Sequence, residues 1–141
     1  MAELSSEAIL GACVAIGGRG VLIEARDEAQ RTDLLLRLLD RGATLVADTR
    51  TVCVRRGAEL LGTAPTGTAG RVEIRGIGSV ELPCLAEVPV ALIAGGLDTA
   101  PRLPEDRRSQ RIAGVDVPVI ALAPSEPAAP IKIEYALKAF A

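Results

Sequence analysis

Residues 20–32 restrict the fold more than any other stretch. Gly20-Val21-Leu22-Ile23 has the unbroken apolar character of a strand buried on both faces. A polar junction follows, Glu24-Ala25-Arg26-Asp27-Glu28-Ala29-Gln30-Arg31-Thr32, and residues 33–40 then form a strongly helical run. A buried strand leading through a short junction into a helix is the seed of a layered α/β fold. It is also where a phosphate-binding Walker A loop, GxxxxGK[ST], belongs. In that frame Ala25 and Gln30 stand at the glycine positions. Arg31 replaces the lysine, and Thr32 keeps the hydroxyl.

The chain's 141 residues suit one domain, expected to span 1–141, and its 49% apolar content is enough for a sizeable core. Tyr135 and Phe140 are the only aromatic residues. The core must therefore be aliphatic, as in a mixed sheet covered by helices. A net charge of −2, with no basic stripe and no aromatic platform, argues against nucleic-acid binding. The chain has no histidine, which excludes histidine triads, histidine metal sites and phosphohistidine chemistry. Cys13, Cys53 and Cys84 lack zinc spacing and read as buried small residues in a reducing compartment. Residues 1–7 do not resemble a signal peptide. The longest apolar run, 88–97, contains Pro89 and two glycines and is too short to span a bilayer. A cytoplasmic location, away from membranes, is expected.

Residues 12–16 and 21–25 read as a hairpin across Gly17-Gly18-Arg19-Gly20. Asp27 is the candidate N-cap of the first helix, and Gly42 lies where that helix should end. Strands are expected at 44–47, 51–55, 58–62, 71–75, 79–82 and 88–94, with Gly76-Ile77-Gly78 as a flexible link. Residues 99–109 are polar and contain proline, the pattern of a mobile loop. Residues 112–115 and 117–122 read as a hairpin or two edge strands, and 129–140 as a closing helix with Pro130 in its first turn.

Four segments together resemble one family: Gly17-Gly18-Arg19-Gly20-Val21-Leu22-Ile23, residues 33–40, Arg41-Gly42-Ala43-Thr44-Leu45-Val46-Ala47-Asp48, and Glu73-Ile74-Arg75-Gly76-Ile77-Gly78. They are similar to the catalytic domain of HPr kinase/phosphorylase, in the short form found in proteobacteria, from about Ile9 onward. The resemblance implies a P-loop kinase-like mixed sheet related to that of phosphoenolpyruvate carboxykinase and flanked by helices. It implies ATP and magnesium as cofactors, an HPr-like phosphocarrier protein as partner, and a homo-oligomer, commonly a hexamer.

Carried across by position, Asp48 matches the acid/base aspartate, and Arg75 lies in the same signature as Glu73. Glu73 and Thr32 match the metal-holding carboxylate and hydroxyl. Arg26, Arg31 and Thr32 belong to the phosphate-loop segment, 25–32. Thr49 replaces a second aspartate, Gly11 stands where many members have histidine, and Lys132 takes a basic position near the closing helix.

A P-loop cradles phosphate with consecutive backbone amides, and glycine permits the conformations this needs. A side chain forced into a left-handed conformation costs roughly 1–2 kcal/mol. Here the junction lacks glycine, and 27–31 is good helix-forming material. The simplest expectation is a helix that begins early and fills the phosphate site. Asp27 and Glu28 would each repel a phosphate charge at about 5 Å by roughly 3 kcal/mol at an effective dielectric of about 20.

Two readings follow. One is a pseudokinase, lacking ATP binding and acting as a regulatory or binding module in phosphotransferase-type carbon regulation. The alternative is an active kinase/phosphorylase or phosphatase, with Arg26, Arg31 and Arg75 holding phosphate through side chains. A third, weaker reading is a structural oligomer using 99–111 as a contact arm.

Overall fold

A computed structural model of the chain describes residues 5–96 and 108–140. Eleven strands and two helices follow in order: β1 Ser6–Leu10, β2 Ala12–Ile16, β3 Arg19–Glu24, α1 Glu28–Asp40, β4 Thr44–Ala47, β5 Arg50–Arg56, β6 Glu59–Thr63, β7 Arg71–Ile74, β8 Gly78–Glu81, β9 Val88–Gly96, β10 Arg108–Ile112, β11 Val115–Leu122 and α2 Ala129–Phe140.

The β2–β3 hairpin turns through Gly17 and Gly18, both at positive φ. β3 runs parallel to β9, and β2 pairs antiparallel with both β3 and β4. The main sheet has the order β1-β5-β6-β9-β3-β2-β4. Opposite β3, β9 gives its first residues to β6 and its last four to β11, which carries β10. Strands β3, β4, β9 and β11 therefore end at the same edge of the sheet. In open α/β sheets that edge is where ligands bind.

Alternation along the central strands divides the core in two. Ala12, Val14, Val21, Ile23, Leu92 and Ala94 face Leu34, Leu35 and Leu38 of α1 and Ile133 and Leu137 of α2. Cys13, Ala15, Leu22 and Ile93 face the other way, onto Cys53, Leu60, Ile112 and Val117. Both helices thus cover one face. The mixed sheet flanked by helices is as expected, and on the side away from the helices the sheet curls so that residues of β5, β6, β10 and β11 cover it. The aliphatic alternation that signals burial on both faces does not say whether a helix or another strand provides the cover.

Helix α1 ends in a Schellman motif: Gly42 adopts φ +101°, its N–H donates to the Leu39 carbonyl, and the Ala43 N–H donates to that of Leu38. Arginines fasten α2 beside α1. Arg41 makes a bidentate pair with Glu134 at 2.9 and 2.7 Å, and Arg37 donates to the Glu126 and Pro124 carbonyls.

Several local expectations change. β1 was not apparent in the sequence, where Ser6–Leu10 lacks clean alternation, yet it pairs along β5. The last hairpin turns at Ala113-Gly114, so its first strand is Arg108–Ile112 rather than 112–115. Gly76-Ile77-Gly78 closes a separate two-stranded sheet, β7–β8. Cys13 and Cys53 are buried, but Cys84 is exposed. The segment expected to be a mobile loop or contact arm lies outside the described residues, except for its end in β10. No helix among the described residues is long and apolar enough to cross a membrane.

Candidate functional site

The site forms at the common strand edge, where β3 delivers the chain to α1. The connection is Ala25-Arg26-Asp27, and the helix starts at Glu28. Asp27 is its N-cap: at φ −92° and ψ 120°, its Oδ1 accepts from the Ala29 N–H at 2.8 Å. Among the described residues, left-handed non-glycine conformations occur at Glu87 and Ala113, outside this junction. A backbone nest needs such conformations to turn successive amides inward. Here the first-turn amide that an anion would use is already met by a carboxylate, and Glu28 adds a second negative charge to that turn.

One cleft, of about 470 Å³, lies between α1 and β7. Glu28, Ala29, Thr32, Asp33 and Leu36 line one wall, and Glu73, Ile74 and Arg75 the other. The helical residues share a face because they recur at three- and four-residue intervals. Thus the fold brings Thr32, Glu73 and Arg75 together. Ala29, Asp33, Leu36 and Ile74 were not foreseen as lining residues; the helical spacing around Thr32 contained the signal for the first three, while Ile74 on β7 is brought in by the tertiary fold.

Asp48 follows β4 and is half-buried beside this cleft. Its Oδ2 accepts the Glu73 N–H at 3.2 Å, which ties the β7–β8 hairpin to the main sheet. Its Oδ1 is buried without a hydrogen-bond partner among the described residues. Burial raises the Asp48 pKa above the usual aspartate value, against the lowering effects of the Glu73 N–H and the Arg31 charge; Glu28 and Glu73 raise it further. Arg31 is only 4% exposed, contacts Glu28 at 3.6 Å, and leaves its Nε without a hydrogen-bond partner among the described residues.

Other expected site residues lie apart. Arg26 is exposed on the connection and does not line the cleft. Lys132 is exposed and pairs with Glu126. At Gly11 a Cβ would meet the Ile23 carbonyl oxygen at 2.7 Å, so this backbone admits a side chain there only by shifting.

A magnesium ion fits this donor set poorly. Among the described residues, no group of three or more His, Cys, Asp or Glu side chains is arranged to hold a metal. Magnesium commonly relies on one or two carboxylates together with substrate phosphates. Thr32 and Glu73 would supply one hydroxyl and one carboxylate, while the junction supplies no nest for the phosphates.

Residues 2–85 match the family model described as the HPr Serine kinase C-terminal domain. An HPr kinase/phosphorylase of Chlorobium phaeobacteroides is 30% identical over 125 residues, covering 79% of this chain and 37% of that protein. One from Limosilactobacillus reuteri is 34% identical over 125 residues, covering 79% and 39%. One from Clostridium acetobutylicum is 35% identical over 77 residues, covering 55% and 25%. The chain thus spans between a quarter and two fifths of these relatives' lengths. The solved HPr(Ser) kinase/phosphatase of Coxiella burnetii superposes with a TM-score of 0.80 at 25% identity, covering 94% of this chain and 89% of that one.

Proposed function

Because the chain belongs to the HPr serine kinase C-terminal domain family, we propose that it is a pseudokinase, a family member using the kinase scaffold as a regulatory or binding module without ATP. The observation carrying this reading is the junction: Ala25–Asp27 offers no left-handed residue, and the Asp27 carboxylate caps the helix end an anion would need. Glycine loss, the cap and Glu28 all oppose nucleotide phosphate. The names of its relatives point to an HPr-like protein as partner; a role in carbon regulation of the phosphotransferase type is part of the proposal. A cytoplasmic homo-oligomer, hexameric by family, belongs to the same proposal.

The gathering of Thr32, Glu73 and Arg75 in one cleft, beside Asp48, favours a second reading. In it the chain is an enzyme with altered phosphate chemistry, a kinase/phosphorylase or phosphatase, and Arg75 in the cleft holds phosphate in place of the backbone cradle.

Isothermal titration calorimetry with Mg-ATP, on the wild type and Arg31→Ala, separates the two. The pseudokinase reading expects no heat at millimolar ATP. Micromolar binding that disappears in the variant would overturn it and make Asp48 the first residue to mutate for kinase or phosphatase activity.

A further inference from the structure

Arg31 occupies the lysine position of the Walker frame, yet it does not reach into solvent as a phosphate-seeking side chain would. It is 4% exposed, inside the first turns of α1. A buried guanidinium needs compensating acceptors, and losing one partner of a buried charge pair is costly. Among the described residues, the acceptor within ion-pair range is Glu28 Oε1 at 3.6 Å, a long contact to an exposed carboxylate. Arg31 Nε finds no hydrogen-bond partner among the described residues. Asp48 Oδ1 is also buried without a hydrogen-bond partner among the described residues, and Asp48 lies within reach of the Arg31 charge. The other Asp48 oxygen is engaged by β7 through the Glu73 N–H.

We propose that Arg31 is a built-in cation: its buried guanidinium supplies, from within the chain, the positive charge that lets Asp48 and the β7–β8 hairpin hold their places without nucleotide or metal. The inference rests on the pseudokinase reading and extends it by giving the replaced lysine position a new task. Arg31 is a positioning residue. It acts on β7 through Asp48, linking the start of α1 to the end of β4 and then to the hairpin. A nearby opposite charge favours the ionised carboxylate, and Arg31 acts on Asp48 in that sense without a direct ion pair between them among the described residues. Glu28 and Glu73 add negative charge around Asp48, so Arg31 offsets more than one carboxylate.

The test is a thermal-denaturation cycle at pH 7 on the full chain: wild type, Arg31→Met, Arg31→Lys, Asp48→Asn and Arg31→Met/Asp48→Asn, each with and without Mg-ATP. Methionine keeps much of the length and volume but removes the charge. The expected result is a drop of several degrees in Arg31→Met, a smaller drop in Arg31→Lys, and recovery of most of the loss in the double variant, because asparagine no longer needs a counter-charge. If Arg31→Met does not fold, a folded double variant gives the same support. Equal losses in the lysine and methionine variants, or a double variant no better than Arg31→Met alone, would overturn the proposal, since Arg31 would then matter for its shape. If Mg-ATP stabilises the wild type, the pseudokinase reading falls and takes this inference with it. If Mg-ATP is silent and the cycle is additive, only the inference falls.

Discussion

Asp48 places a carboxylate where burial disfavours its charge more than its neighbours favour it. Its folded-state pKa lies above the unfolded value, so between the two the native state binds more protons and its stability falls as pH rises. The unfavourable contribution is fully present above the folded pKa and absent below the unfolded one. Asp48→Asn is therefore expected to be at least as stable as the wild type at pH 7, with an advantage that shrinks on acidification. Thermal midpoints at several pH values check this, and a variant clearly less stable at neutral pH would contradict it. Gly11 makes a second residue-scale case. A Cβ there meets backbone at 2.7 Å, so Gly11→Ala should lose about 1–3 kcal/mol, measurable by urea denaturation. The residue types were plain in the sequence. The burial of Arg31 was not, since arginine in a helix is usually a surface residue.

Helix α1 illustrates what an element states locally. Asp27 as cap and Gly42 past the end were both legible, because capping depends on residues within one turn of the helix end. Asp27→Ala should cost about 1 kcal/mol, a fall of roughly 2–4 °C in the thermal midpoint for a chain of this size. An unchanged midpoint would mean the Ala29 amide finds another acceptor. The β7–β8 hairpin shows the opposite limit. Its strands alternate visibly, but its attachment depends on Asp48, 25 residues earlier in the chain. In Asp48→Ala, amide exchange at Glu73 should quicken selectively, while β3 and β9 stay protected. Uniform exchange across the sheet would show that the contact does not tether the hairpin. Strand β1 was missed for a related reason: its pairing with β5 supplies order that its own composition does not.

Over the whole molecule, two helices lie on one face of a sheet whose other face is closed by its own strands. The helices are joined through Arg41 and Glu134, whose pairing lowers the Glu134 pKa. A depressed carboxylate pKa contributes stability above the unfolded value and loses it as pH falls through the folded value. Glu134→Gln should therefore unfold more easily near neutral pH by no more than about 1 kcal/mol, as is usual for solvent-accessible pairs, and the difference should vanish in acid. Acid denaturation curves for the two proteins test this, with a constant gap at all pH values as the contrary result. The sequence alone determined what local chemistry enforces: alternating aliphatic strands, a capped helix, a glycine-free junction, and the segments that mark the family. Tertiary structure decided which distant groups meet. It set Asp48 against the β7 backbone, turned Arg31 inward and curled the sheet onto itself. Those outcomes depend on burial and on contacts between residues far apart in the chain, and neither spacing nor composition encodes them.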